Sequence, residues 1–300
     1  MRISIVTLAL GAPPYLDEAL ASVGSDRAFD IEHIIVHDGS DAEFGSLSRR
    51  YPSVRFIRGE AAGATAAAAL GVKATTGDFV LLLHSDDRIG PDAFRMLAEA
   101  AAKQPDIRIW SGSIRIFKVL PDGREIAVRQ LSSRYDTRMS LPNICDNVPL
   151  LTARFIHRSV YADVGNFDPD FPESSDREFM TRAVMAHVPE GPLDTCVSEM
   201  RMHDESRTVH GRKSAIPPYL AEHLRIADRW LQRPGLPDGE RRFFRNWRAR
   251  ESFRLFTYQC RTGLWNDAWV LLCRCNQQDP LWAFRACSAV PAIWRRNRSQ

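Results

Sequence analysis

Long apolar runs are missing from this 300-residue chain. The run at 3–10 falls far short of the roughly 20 residues that a membrane-spanning helix needs, and it reads as a first strand. Met1 and Arg2 lead straight into it, with no separate cationic region and no small-residue cleavage site, so no export signal is expected. Cysteine is sparse: six are scattered along the chain, and Cys273-Arg274-Cys275 is too tight for a zinc pair or a redox motif. Reduced, non-ligating thiols in the cytoplasm are the simplest account. Motifs for nucleic-acid binding are absent, and nucleic acid is not an expected partner. Lysine is absent from residue 217 onward, where 15 arginines stand against 7 acidic residues. That segment is therefore +8 within a chain of net charge +3. A basic tail suits an anionic partner such as a membrane surface, or else it is a solvated arginine-rich helix face.

What is present is a domain-sized chain, 44% hydrophobic and 26% charged. Strand-like runs at 3–7, 33–36, 54–57 and 79–83 alternate with helical spacings at 15–23, 42–50, 64–74 and 91–102. The run at 79–83 is almost wholly apolar, as a parallel strand covered on both faces should be. The series predicts an α/β fold with a mostly parallel open sheet and right-handed crossovers. Further strands are expected at 107–117 and 125–128, with a turn at Pro121-Asp122-Gly123, and helices at 150–160 and 176–186. From 219 the pattern is all-helical, with an αα-hairpin around Thr262-Gly263. Two domains follow, 1–216 and a helical extension, 217–300.

Ligands of open α/β sheets bind beyond the carboxyl ends of the strands. Acidic residues fall at two such ends: Asp38 after the second strand, and Asp86 with Asp87 after the fourth. Each alone suits an ordinary turn. Together on one sheet edge they favour a site, where carboxylates accept hydrogen bonds from a nucleoside and hold a divalent cation against a diphosphate.

The segments "ISIVT…PYLDEALASV", "IIVHDGS", "GATAAAALGVKATTGDFVLLLHSDD" and "FIHRSVYADVGNFDPDFPESSDREFMTRA" follow one another in a telling order. In that order and spacing the chain resembles the family 2 glycosyltransferases over roughly residues 1–213. The resemblance implies the GT-A fold and inverting transfer of a sugar from a UDP- or GDP-type donor to an acceptor hydroxyl. A glycan or lipid-linked acceptor, as in surface polysaccharide synthesis, is implied with it. Thr7, Asp38, Gly63 and Asp86 match donor-binding positions. Asp86 and Asp87, with His203 from "RMHDESRTV", match the region that holds Mn²⁺ or Mg²⁺. Asp176 matches the catalytic base, and its first-turn position also suits a helix cap. Arg207 and Arg212, beside His210 and Lys213, match a loop that closes on the diphosphate; a solvated loop is the plainer reading. Gly165, Phe167 and Asp168 match a turn taken to position the Asp176 loop.

The chain also departs from the family pattern. His37 and His84 stand where the family usually carries Asp, and Ala62, Ala66 and Ala69 replace common acidic or Asn positions. Those alanines keep open a second class, a non-catalytic protein that binds a nucleotide sugar or glycan. A nucleotidyltransferase is a third class, but it calls for a Gly-rich, Arg/Lys-bearing loop after the first strand, which Gly11-Ala12-Pro13-Pro14 matches poorly. The aromatic residues interleaved with arginine in the extension suit core packing. The terminal "IWRRNRSQ" suits peripheral contact with anionic lipid at the inner face of the membrane.

Overall fold

A computed structural model of the chain describes residues 1–11, 13–24, 29–59, 63–203 and 216–286. The chain divides into two compact units, Met1–Ser206 and Arg207–Gln300. In the first, β1 (Arg2–Ala9), β2 (Asp30–His37), β3 (Arg55–Arg58) and β4 (Phe79–His84) are parallel, with α1 (Leu16–Gly24), α2 (Asp41–Arg50) and α3 (Ala64–Lys73) between them. Beyond them come β5 (Arg88–Ile89), α4 (Ala93–Lys103), β6 (Ile109–Val119), β7 (Glu125–Leu131), β8 (Arg154–His157), α5 (Arg158–Val164), α6 (Ser175–Met185) and β9 (Glu190–Met202). The nine strands form one sheet in the order β3-β2-β1-β4-β8-β6-β9-β5, with β7 paired to β6.

The apolar β1 and β4 are explained by their two covered faces. Val6, Val80 and Leu82 pack with residues of α3 and α6 on one side. Ile3, Ile5, Leu81 and Leu83 pack with residues of α1 and α4 on the other.

Two segments differ from the sequence expectation. The helix expected over 150–160 is instead a 3₁₀ turn at Leu151–Ala153, then β8, and only then α5. β8 lies antiparallel to both β4 and β6 and buries Phe155 and Ile156 between them. Four residues are too few to show a period of two, so the strand is invisible until its neighbours are in place. β9 carries Pro192 and many polar residues and resembles a loop in sequence, yet it runs 13 residues and pairs with β6 and β5.

The second unit holds α7 (Ile216–Leu231), α8 (Asp238–Arg261) and α9 (Trp265–Gln278), then a short helical turn at 282–286. Gly263, with φ of 78°, turns the chain between α8 and α9 in the left-handed region that glycine enters without strain. Trp230 stacks on Phe244 at 5.8 Å, and Phe244 and Trp247 are buried. Much of the aromatic set of this unit is therefore core. Among the described residues, no helix is long and apolar enough to cross a membrane.

Candidate active site

The site forms at the carboxyl end of β4. The strand ends at His84, and the turn that follows presents Asp86 and Asp87. One ligand atom from each of these three residues lies within 4.8 Å of the others. Asp87 is buried, and its Oδ1 accepts the backbone N–H of Arg201 on β9 at 2.9 Å. Its Oδ2 is buried without a hydrogen-bond partner among the described residues, 3.3 Å from Nδ1 of His84. Asp86 is more open, and its Oδ2 accepts from Nε2 of His203 at 2.9 Å.

A buried carboxylate oxygen that faces only one imidazole is costly unless positive charge completes it, from that ring when charged or from a bound cation. Hard oxygen donors joined by imidazole suit a divalent ion of the Mg²⁺ or Mn²⁺ kind. The donor set therefore fits the Mn²⁺ or Mg²⁺ that the sequence resemblance implies.

Asp176 approaches from α6, as the second residue of that helix. The Thr65 hydroxyl at the head of α3 donates to the Pro172 carbonyl at 3.1 Å and lies 2.9 Å from the Ser175 hydroxyl, which ties the starts of the two helices together. Burial pushes the Asp176 carboxyl above the usual carboxylate range, against the pull of Arg177 and His84. For His84, desolvation works against the charged ring, but Asp87, then Asp86 and Asp176, outweigh it and raise the imidazole. His84 and Asp176 thus act on one another electrostatically, across 92 residues of chain.

Asp38 stands at the carboxyl end of β2. Ser40, not Asp38, caps α2 in a capping box with Glu43. The Asp38 carboxylate lies against the backbone at the end of β3: a Cβ on Gly59 would meet its Oδ1 at 1.6 Å. β1 separates this residue from the β4 cluster, with Ala9 opposite His37 and Leu8 opposite His84. The two acidic ends are thus two strand spacings apart, about 10 Å.

Thr7 is fully buried, and its hydroxyl pairs with Nε2 of His33 at 2.9 Å; burial pushes His33 down to about 4. Gly63 precedes α3 with φ of 87°, so a side chain there would be strained. His37 is fully buried: Nε2 donates to the Gly11 carbonyl at 2.8 Å and Nδ1 accepts from the Gly39 N–H at 3.2 Å. It braces the loop after β1 against the turn after β2. The Gly165 turn is held to α6 by Arg182, which donates to the carbonyls of Val164, Gly165 and Asn166 and pairs with Glu178. Ala62, Arg207, His210, Arg212 and Lys213 lie outside the described residues.

Three arginines at the site escape sequence reading. Arg201 is buried between the rings of Tyr15, at 4.3 Å, and Phe117, at 4.8 Å. It also donates to Glu18 and to the Asp86 carbonyl, so it fastens the end of β9 to α1 and to the β4 turn. Arg154 and Arg177 are buried too and donate to main-chain oxygens. Arg154 holds the carbonyls of Thr137, Pro149 and Leu150, and Arg177 those of Ile144 and Asn147. Burial lowers Arg154 to about 10, with Glu190 and Asp176 opposing the shift. Between them the two guanidiniums shape 137–150, a stretch whose regular structure is one π-turn, Pro142–Asp146.

With this geometry in view, the comparisons decide the family. Residues 4–164 match the model described as "Glycosyl transferase family 2". The chain is a family 2 glycosyltransferase. An uncharacterized glycosyltransferase of Mycobacterium tuberculosis is 28% identical to it over 192 residues, 62% of this chain and 70% of the relative. The uncharacterized glycosyltransferase EpsJ of Bacillus subtilis is 27% identical over 103 residues, 33% of this chain and 30% of the relative. Among solved structures, residues 1–349 of S. aureus TarS align with a TM-score of 0.59 at 17% identity, covering 85% of this chain and 72% of that one. The same protein in complex with UDP-GlcNAc aligns with a TM-score of 0.61 at 16% identity, covering 86% and 73%. At such identities the likeness is one of fold, the GT-A fold of this glycosyltransferase.

Proposed function

We propose that this glycosyltransferase moves a sugar from a nucleoside-diphosphate donor to an acceptor hydroxyl with inversion. The observation that carries the reading is the convergence of His84, Asp86, Asp87 and His203 on the edge that Asp176 faces from α6. The TarS complexes with UDP and UDP-GlcNAc support a nucleotide-sugar donor.

Asp38 and Asp86 take the nucleoside across the end of β1, with Gly63 leaving the approach to α3 open. Thr7, buried beneath this floor, supports the donor site through His33. Asp86 and Asp87, with His203 beside them, would hold the divalent cation. When bound, it neutralises charge that develops on the departing diphosphate. Arg207 and Arg212 are assigned to the same diphosphate. Asp176 takes the proton of the acceptor hydroxyl as its oxygen bonds to the anomeric carbon. The bond from that carbon to the diphosphate breaks on the opposite face, and the electron pair leaves with the nucleotide. One base suffices for this single displacement, and a carboxylate raised by burial is a better one than an ordinary aspartate.

The acceptor is a glycan or a lipid-linked glycan at the inner face of the membrane, and the helical second unit is a separate domain that serves it. A panel of UDP- and GDP-sugars tests the reading, scored by cation-dependent release of the nucleoside diphosphate. Release from at least one donor is expected. Donor binding without turnover in any acceptor mixture would overturn it in favour of a binding protein, the class that Ala66 and Ala69 suggest.

A further inference from the structure

α9 has two unlike faces. Ala268 and Cys275 are buried, and Cys275 joins Ala249 of α8 and Trp282 in the core of the helical unit. Trp265 and Trp269, one turn apart on the outer side, are each 65% exposed, as is Val270, and Leu264 at the start of the helix is 45% exposed. The turn at 282–286 repeats the arrangement. Trp282 points inward, while Phe284 is 75% and the neighbouring Leu281 57% exposed. Single exposed apolar side chains are ordinary, but six large ones within 264–284 are a surface built to be covered.

Charge indicates what covers it. Residues 217–286 hold 12 arginines, no lysine and 7 acidic residues. Arg261 is exposed at the end of α8, and Arg274 on α9 is 66% exposed although it lies 4.0 Å from Asp228 of α7. Asp267 is the one acidic residue of α9. A second copy of the chain would bring the same positive charge against this one. An anionic lipid surface attracts it, and tryptophan is the side chain most at home at the level of lipid head groups.

We propose that the outer face of α9, with Leu281 and Phe284, docks on the anionic surface of a lipid bilayer. Trp265, Trp269 and Phe284 enter the head-group layer, and the exposed Arg261 and Arg274 meet the phosphates. The proposal deepens the reading of a lipid-linked acceptor, and it is measured without sugar transfer, so the two fail separately.

The test is sedimentation of the full chain, without donor, with vesicles of phosphatidylglycerol and of phosphatidylcholine, at low and high salt. Binding to the phosphatidylglycerol vesicles, weakened by salt, is expected. Trp265→Ser with Trp269→Ser should lower the partition coefficient by about tenfold or more, as two large apolar side chains lose their burial. Phe284→Ser, on a separate element, should lower it independently. Far-ultraviolet circular dichroism of each variant should match the wild type, since the three side chains are outside the core. Absent binding, equal binding to phosphatidylcholine, or wild-type binding by folded variants overturns the proposal. So does sedimentation equilibrium showing a dimer, with no vesicle binding, that the double variant converts to monomer.

Discussion

Nε2 of His203, one residue past the end of β9, donates to Oδ2 of Asp86 at 2.9 Å, joining positions 117 residues apart in the chain. The tilted ring of Tyr15, 5.3 Å away, supports the imidazole. The pair ties the end of β9 to the turn after β4, beside the cluster of His84, Asp86 and Asp87 proposed to hold the cation. Asp86→Ala and His203→Ala should each lower turnover by about 10²-fold or more, the usual scale for loss of one group that stabilises developing charge. Initial rates against Mn²⁺ concentration check this, together with the donor-induced rise in melting temperature. Unchanged cation dependence in both variants would remove them from the site.

Asp176→Asn separates the base from the binding machinery. Turnover should fall by about 10²- to 10⁴-fold while donor binding persists. The pH dependence has a definite sign. Burial raises the folded-state value of Asp176, so the base stays protonated to higher pH than an ordinary aspartate, and activity should fall as pH drops through that raised value. The same shift makes ionised Asp176 a cost to the fold, with stability lost as pH rises through the folded-state value. At neutral pH the Asn variant should therefore melt no lower than the wild type, and a clear drop would contradict the assignment.

Gly59→Ala tests Asp38 from the other side of the edge. The new Cβ would fall 1.6 Å from Oδ1 of Asp38, so the carboxylate must move. Donor affinity should drop by about tenfold, the worth of roughly one hydrogen bond to a charged group, with little loss of melting temperature. Isothermal calorimetry with the preferred nucleoside diphosphate reads it.

Arg154→Met leaves the carbonyls of Thr137, Pro149 and Leu150 without their donor. Loss of such a buried group should destabilise the protein by about 3 kcal/mol. The stretch it holds, 137–150, precedes β8 and is also held by Arg177, the neighbour of Asp176. Acceptor KM should therefore rise more than donor KM. Urea unfolding and acceptor titrations distinguish the two effects.

In the helical unit, Glu251 and His223 are both buried and lie 2.9 Å apart. Burial alone would raise the Glu251 carboxyl, but His223, Arg254 and Arg250 outweigh it and bring it down to about 2. Its contribution to stability is present above the ordinary carboxylate value and is lost as pH falls toward about 2. Glu251→Gln should destabilise by about 3 kcal/mol at neutral pH and flatten the acid limb of the stability profile. Urea midpoints between pH 7 and 3 measure it.

How much of this was legible in the sequence differs by element. Long, strongly periodic segments announced themselves: β1, β4 and α1 to α4 fall within a few residues of where apolar spacing puts them. So did the acids at the strand ends, because the carboxyl edge of a parallel sheet is predictable once the β-α alternation is seen. β8 and β9 did not. One is too short to carry a period, and the other is too polar to resemble a strand until β6 and β5 supply its ladder.

The side chains divide the same way. Position in a motif marked Asp38, Asp86, Asp87, Asp176 and His203. It marked His37 only as a departure, whereas the fold makes it a brace between two loops. Nothing in spacing pointed to Arg154, Arg177 or Arg201, whose partners are carbonyls, rings and a carboxylate that only the folded chain gathers around each guanidinium. By itself the sequence determined the family, the sheet edge and the acids that line it, because local periodicity and ordered motifs are written in consecutive residues. Only the tertiary structure decided which histidine meets which carboxylate, which arginines hold the stretch 137–150, and which tryptophans stay outside the helical core. Those outcomes depend on long-range packing and desolvation, which no local pattern encodes.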